Sequence, residues 1–364
     1  MYSKIVKKKK ATFRIFSIIL FLVISLEIII LSQNPNRKSV GTSSNSLEEL
    51  KAIKAQNINV YDGLRNSIKT TLQKRNIDGA IKLTEAALAQ QDISLDECHN
   101  LLHLIGHEAY QYLNADFSKL ATFDSVICIS SFQHGVEAQI IYSSKNPTEE
   151  LKQYCSALRQ RYPGISCYHG AGHGYMQIFK DINKALSGCD LLEGGPDKEL
   201  WNCYRGIFSE YGNMTLGVDS DTGQPLPDGP TVSIDKDSPL LFCNQFLEKY
   251  QESCYSQVTK VLVSGDLTKS LNSCLNSEYS MRAKEICISI ISGVISRSIL
   301  SNKENFEVPE IVHSLPLNLR RAYILGVKET FIGLKTSRIN RNWDHFCNLF
   351  KHNDDKSHCL SVYQ

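Results

Sequence analysis

Apolar residues recur at helical spacing along most of the chain from Leu47 onward, whereas alternating β-branched runs bounded by turns hardly occur. The segment 78–89, Asp-Gly-Ala-Ile-Lys-Leu-Thr-Glu-Ala-Ala-Leu-Ala, places its apolar residues along one helical face. A pattern with this period is typical of amphipathic helices that bury one face against their neighbours. The sequence therefore predicts an all-α protein.

A different pattern occupies the N-terminus, where an apolar run from Ile15 to Ser32 follows six basic residues within the first fourteen positions. Eighteen residues of helix rise about 27 Å, just enough to cross a hydrocarbon core of roughly 30 Å. The basic flank places the N-terminus inside the cell. We predict a cytoplasmic basic tail over 1–14, a transmembrane signal anchor over 15–32, a tether over 33–45 and an extracytoplasmic domain over 46–364.

A cleaved signal peptide is the alternative for this segment. Glu27 disfavours a membrane span, since a charged side chain near mid-membrane costs about 2.5 to 3.5 kcal/mol on insertion scales. Against cleavage, no small-x-small site follows Leu26, and the apolar run continues from Ile28 to Leu31. A single-pass protein of the cell membrane is the preferred prediction, with a secreted protein as the alternative.

All twelve cysteines follow residue 97, in the part predicted to be extracytoplasmic, where disulfides form. No C-x-x-C occurs, which disfavours zinc-ribbon and c-type haem sites, and buried free thiols or zinc ligands remain the alternative. Cys98 and Cys128 would close a first, longer hairpin. The other ten form close pairs that join one helical pattern to the next: Cys155 with Cys167, Cys189 with Cys203, Cys243 with Cys254, Cys274 with Cys287, and Cys347 with Cys359.

A glycine recurs shortly after the start of each predicted second helix. Since glycine costs about 1 kcal/mol inside a helix, its recurrence indicates close helix approach. Helix pairs that recur every 30 to 50 residues are similar in shape to tetratricopeptide or Sel1-like solenoids, although neither consensus is present. The recurring glycines are Gly106, Gly135, Gly170, Gly206, Gly293 and Gly326.

The extracytoplasmic domain is thus predicted to be an array of disulfide-stapled helical hairpins. It divides into a histidine-rich part over 95–210, a long loop over 212–238 and a repeat scaffold over 239–364. The loop carries Asp219-Ser220-Asp221-Thr222-Gly223, half of a calcium-loop pattern, but the closing Glu is missing. With 40 basic and 38 acidic residues, and six of the basic ones in the N-terminal tail, no nucleic-acid partner is predicted.

Histidines concentrate in three predicted helices of the first half and are scattered elsewhere. Imidazoles at i and i+4 lie on one helix face and can grip one metal ion. If the helices stack in register, their histidines converge on a divalent transition metal, with zinc, copper or iron suited to imidazole ligands. The predicted ligands are His99, His103, His107, His134, His169 and His173.

Four charged residues accompany these histidines. Glu108 or Glu137 would act as general base, and the next helix adds Arg205 and Glu210 at comparable places. The stretch His103-Leu104-Ile105-Gly106-His107-Glu108 is not the metalloprotease H-E-x-x-H, because the acid follows the second histidine. In the metal-free alternative, His173 or His134 shuttles a proton while Arg205 holds an anionic substrate.

The early and late repeats differ beside the recurring glycine. His134, His169 and Arg205 precede it in early units, whereas Ser292 and Leu325 precede it later. This asymmetry indicates a metal-dependent envelope enzyme. The alternatives are a disulfide-stabilised scaffold that binds a peptide, glycan or small-molecule ligand without catalysis, and histidines that serve packing alone.

Overall fold

The computed structural model describes residues 44–55, 59–123, 127–162, 165–192, 197–215, 234–235, 237–263, 266–301, 307–336 and 343–362. The predicted basic tail and transmembrane anchor lie outside these residues, as do the half calcium loop and most of the predicted 212–238 loop. Across the described ranges, no helix is both long enough and apolar enough to cross a bilayer.

The described chain is helical throughout and contains no strand in those ranges, which confirms the all-α prediction. Short 3-10 helices at Ile127–Ser130, Pro239–Gln245 and Thr259–Leu262 join some of the α-helices. The first ten α-helices are α1 (Ser44–Ala55), α2 (Val60–Gln73), α3 (Ile77–Ala89), α4 (Leu95–Tyr112), α5 (Phe117–Leu120), α6 (Ser131–Ser143), α7 (Pro147–Arg161), α8 (His169–Phe179), α9 (Ile182–Asp190) and α10 (Asp197–Thr215).

The second half begins after the undescribed segment that follows α10. The helix α10 continues to Thr215, so residues 212–215 of the predicted 212–238 loop are helical. The remaining α-helices are α11 (Glu248–Val258), α12 (Leu267–Ser273), α13 (Met281–Ser301), α14 (Glu310–Ser314), α15 (Leu317–Thr336), α16 (Trp343–Cys347) and α17 (Asn353–Val362).

One series of helices makes contact in chain order. The helix α4 packs on α6, α6 on α8, α8 on α10 and α10 on α11, and the series continues through α13 and α15 to α17. Shorter helices such as α9, α12 and α16 pack beside their successors in this series. The core between them is apolar, with Phe132, Tyr154, Phe208 and Tyr323 among the largest fully buried side chains.

Glycines lie where neighbouring helices of this series approach most closely. A methyl group added to Gly135 on α6 would collide with the backbone carbonyl of His103 on α4, and one added to Gly106 would collide with that of Phe132. Gly326 lies against the carbonyl of Ser289 in the same way. The close helix approach predicted from the recurring glycines is therefore present.

The helix α8 uses glycines on two faces, which explains its sequence His-Gly-Ala-Gly-His-Gly. Gly170 and Gly174 lie against α6, whereas Gly172 lies against α10 beside Gly206. A methyl group added to Gly206 would in turn collide with the backbone carbonyl of His169 and lie against Gly172. With backbone contacts on both sides, α8 is held close to α6 and to α10.

All six predicted disulfides are present, and no free cysteine remains. Five of the bonds join segments that are adjacent in the chain, whereas Cys98 on α4 is bonded across α5 to Cys128 in the turn before α6. Free thiols and cysteine-ligated zinc, the alternatives left open by the sequence, are thereby excluded for these twelve residues.

Candidate metal centre

Three imidazoles from two helices meet beside the contact between α4 and α6. His99 and His103 are one turn apart on α4, and their ring centroids are 5.1 Å apart. The ring of His134 on α6 lies 5.6 Å from each of them. One nitrogen from each ring can be chosen so that all three lie within 4.8 Å of one another, a spacing from which small side-chain rotations could close on one ion.

The helix α8 adds two more rings to this group. His169 lies 4.6 Å from His134, and His173 lies 5.4 Å from His103, measured between ring centroids. The close packing at Gly135 and Gly170 brings the three helices near enough for these contacts. We call His99, His103, His134, His169 and His173 the histidine cluster.

His107, the sixth predicted ligand, lies at the edge of the cluster. Its centroid is 6.0 Å from that of His103, and its ring stacks on Tyr142 at 5.4 Å with an interplanar angle of 3°. Its Nδ1 lies 3.1 Å from Oε1 of Gln139. These contacts give His107 a packing environment that the other five histidines lack.

Glu210 on α10 orients His173. The Nδ1–H of His173 donates to Oε2 of Glu210 at 2.9 Å, and Nε2 of Gln177 donates to the other carboxylate oxygen at 3.1 Å. A carboxylate accepts but does not donate, so the lone pair of His173 resides on Nε2, which is buried and has no hydrogen-bond partner among the described residues. This is the second-shell arrangement usual for a metal-binding histidine.

His99 is held in a comparable way by the turn before α6. Its Nδ1 lies 3.2 Å from the carbonyl oxygen of Cys128 and 2.6 Å from Oγ of Ser131. Since a carbonyl only accepts, Nδ1 carries the proton, and Nε2 is left with the lone pair. Nδ1 of His134 is buried and, like Nε2 of His173, has no hydrogen-bond partner within the described residues. Buried ring nitrogens without partners, beside other imidazoles, fit a metal ion.

Burial favours the neutral form of three rings of the cluster. It lowers the pKa of His99, His134 and His169 well below the ordinary value, and neighbouring imidazoles lower each further. The guanidinium of Arg205 adds to the lowering at His134 and His169. Neutral imidazole is the form that binds transition metals, so no proton has to be displaced from these three rings at neutral pH.

Glu137, a predicted general base on α6, makes contact with the first turn of α8. Its Oε2 accepts a hydrogen bond from the backbone N–H of Gly170 at 2.8 Å, at a helix end where Tyr168 supplies no side-chain cap. Burial raises the pKa of Glu137 to about 7, while the amides of Tyr168 and Gly170 act against this rise. The carboxylate thus fixes the helix that carries His169 and His173.

Glu137 also lies within 4.8 Å of the sulfurs of Cys155 and Cys167. Those sulfurs are bonded to each other and cannot serve as thiolates, so this group is not a metal site. Glu108, the other predicted base, is partly exposed near the end of α4. Burial and the Glu108 carboxylate raise the pKa of Tyr112, its neighbour one turn later.

Arg205 borders the cluster from α10. Its guanidinium lies over the ring of Trp201, 4.6 Å from the centroid, and burial lowers its pKa. The partners Ser131, Gln139, Tyr142 and Gln177 were not predicted from the sequence. Only Gln177, four residues after His173 on the same helix, carried a recognisable signal, because its spacing places both on one face.

Comparison with known proteins gives no match to a protein-family model, to a curated protein or to a solved structure. The chemistry of the cluster is accordingly argued from its own residues.

Proposed function

We propose that this protein binds a divalent transition-metal ion, with His99, His103 and His134 as ligands. The observation that carries the proposal is the set of three imidazole nitrogens within 4.8 Å of one another, contributed by two tightly packed helices. Imidazole ligands suit zinc, copper and iron, and they disfavour magnesium and calcium, which prefer oxygen.

We further propose that the site is catalytic, as part of an envelope enzyme. Three histidine ligands leave a coordination position for water or substrate, as in catalytic zinc sites, where the metal supplies Lewis acidity. His173, whose Nδ1 is held by Glu210, is a further ligand candidate from α8. His169 is another, since its ring lies 4.6 Å from that of His134.

The setting proposed for this chemistry is extracytoplasmic, with the chain anchored through residues 15–32. Six disulfides support an oxidising compartment, since such bonds rarely persist in the cytosol. The helix series α4 to α17, in which each member contacts the next, supports a repeat array as its architecture. Carbonate extraction of cell membranes tests the anchor: the full chain stays in the pellet, and a variant lacking residues 15–32 is released.

The second candidate is ligand binding without catalysis. It is favoured by a cleft that lies beyond Arg205, along the later helices of the same series. The two candidates differ in the role of the histidines: the enzyme needs them to bind a metal ion, whereas the scaffold does not.

Metal analysis of the full chain, purified in detergent, tests the metal proposal. After incubation with zinc and removal of excess metal, we expect about one ion per chain in the wild type and a loss of tightly bound ion in His103→Ala. His345→Ala serves as the matched control, since this exposed histidine lies outside the cluster and the variant should retain the ion.

His103 is fully buried, so its replacement tests the ligand role only if the helical circular dichroism signal is unchanged. His99→Ala, at a partly buried position, provides a second variant that perturbs packing less. A wild-type protein that retains no zinc, copper or iron would overturn the metal proposal.

A further inference from the structure

A cleft of about 610 Å³ lies between α10, α11, α13 and α15, next to the end of the histidine cluster. Its walls include Trp201 and Arg205 from α10, Ser256 from α11, Ile286 and Ile290 from α13, and Leu325 from α15. The volume is in the range of pockets that bind small ligands or a few residues of a peptide. These helices belong to the series whose earlier members carry the histidines.

The charges in this cleft are unevenly matched. Arg282 is paired with Glu252 at 2.6 Å and with Glu285 at 3.5 Å, and these three groups together carry one net negative charge. Arg205 has no carboxylate partner in the described part of the chain, and exposed Arg321 adds a further positive charge to the lining. Three arginines against two glutamates leave the lining with an excess of positive charge, which favours an anionic ligand.

Two hydrogen-bond donors are unsatisfied at the end of the cleft nearest the histidines. Nε of Arg205 and Nε1 of Trp201 are both buried, and neither has a hydrogen-bond partner among the residues described. Buried donors are normally paired, and a guanidinium pairs best with a planar carboxylate. The two side chains are one helical turn apart, with the guanidinium of Arg205 over the ring of Trp201.

The rest of the cleft is apolar with interspersed hydroxyls. Leu317 and Leu325 of α15 are 42% and 43% exposed, which is high for large apolar side chains, and Ile286 and Ile290 lie beside them in the lining. Ser289 adds a hydroxyl group to the same walls, whereas the hydroxyl of Ser256 already donates to the Ser253 carbonyl. An acyl chain would leave the Ser289 hydroxyl unused, whereas a peptide offers both apolar side chains and backbone groups to bond it.

We infer that the cleft binds the carboxyl-terminal end of an apolar peptide, with its terminal carboxylate on Arg205 and Trp201 and its side chains against Ile286, Ile290 and Leu325. This binding requires no metal, so the inference is independent of the metal proposal.

Calorimetric titration of the full chain with acetyl-Ala-Leu-Leu, as the free acid and as the carboxamide, tests the inference. We expect the acid to bind at least tenfold more tightly than the amide. In Arg205→Gln, affinity for the acid should fall at least tenfold, because the pairing charge is lost, while affinity for the amide changes little. Leu325→Gln, an exposed position that will not unfold the protein, should weaken both peptides several-fold.

Lys152→Gln is the matched control, since it removes the same charge from an exposed site on α7 outside the cleft and should leave both affinities unchanged. Equal affinity for acid and amide, or an unaltered affinity in Arg205→Gln, would overturn the inference. Hexanoate binding as tightly as the peptide acid would also overturn it, in favour of an acyl carboxylate. Zinc content measured on the same samples separates this outcome from failure of the metal site.

Discussion

Glu210 accepts a hydrogen bond from His173 at 2.9 Å, although the two residues are 37 positions apart and lie on different helices. Both side chains are almost completely buried. Taking a carboxylate out of water is costly unless it is bonded, and here His173 and Gln177 each bond one of its oxygens. The arrangement fixes the orientation of an imidazole whose other nitrogen faces the cluster.

This relationship predicts that Glu210→Gln weakens metal binding. Loss of an outer-shell carboxylate usually lowers metal affinity by about 10- to 100-fold, because the histidine loses its fixed orientation and some of its basicity. Zinc affinity, measured by competition with a chromophoric chelator, should fall by that factor. Glu108→Gln is the control, and an equal loss of affinity there would contradict the assignment of the second shell to Glu210.

The helix contact at Gly135 predicts a large effect of one methyl group. In Gly135→Ala the new side chain collides with the carbonyl of His103, so α4 and α6 must move apart. We expect the free energy of unfolding to fall by about 1 to 3 kcal/mol or more, the range seen for overpacked sites. Zinc affinity should fall with it, because His134 moves away from His103.

Gly212→Ala on α10 is the matched control, since an added methyl group there meets nothing within 4 Å. This variant should be as stable as the wild type or more stable by up to about 1 kcal/mol, because alanine is the better helix former. Chemical denaturation followed by circular dichroism measures both variants. Equal stability of the two would show that the helices do not approach as closely as described.

The disulfide Cys98–Cys128 supports the cluster as well as the fold. It holds the turn whose Cys128 carbonyl accepts from His99. Replacing both cysteines by serine should lower the free energy of unfolding by about 2 to 4 kcal/mol and also weaken zinc binding. Replacing Cys347 and Cys359, which join α16 to α17, should cost similar stability and leave zinc affinity unchanged. A loss of affinity in both pairs would contradict a local role for the first.

Glu137 predicts a specific pH dependence of stability. Its pKa in the folded protein is raised from 4.5 to about 7, so stability is full below about pH 4.5 and decreases as pH rises toward 7 and the buried carboxyl is forced to ionise. Glutamine keeps an acceptor for Gly170 and does not ionise. The stability of Glu137→Gln relative to wild type should therefore increase by about 2 to 3 kcal/mol between pH 5 and pH 8.

Comparing Glu137→Gln with wild type at each pH removes from the difference the contributions that the two proteins share. Glu149→Gln, at an exposed position on α7, should show no such change with pH. Denaturation midpoints of the three proteins, measured at pH 5 and pH 8, test this prediction. A constant difference between Glu137→Gln and wild type would mean that the carboxyl ionises as readily in the folded protein as in the unfolded one.

The sequence by itself determined the helical class, the six disulfide pairs and the positions of close helix approach. These depend on local information: apolar residues at helical spacing, cysteines 11 to 14 residues apart for five of the pairs, and glycines where a helix would otherwise avoid them. His99 and His103, one turn apart, were also predictable as neighbours, because a single helix fixes their separation.

Only the tertiary structure decided which side chains from different helices meet. The sequence grouped six histidines and four charged residues, but it could not show that Glu210 bonds His173, that Glu137 caps α8, or that His107 stacks on Tyr142. Those contacts depend on the rotation and offset of each helix against the next, which are set by close backbone contacts at glycines such as Gly172 and Gly206. Such contacts are properties of two packed surfaces, and no single segment of sequence contains them.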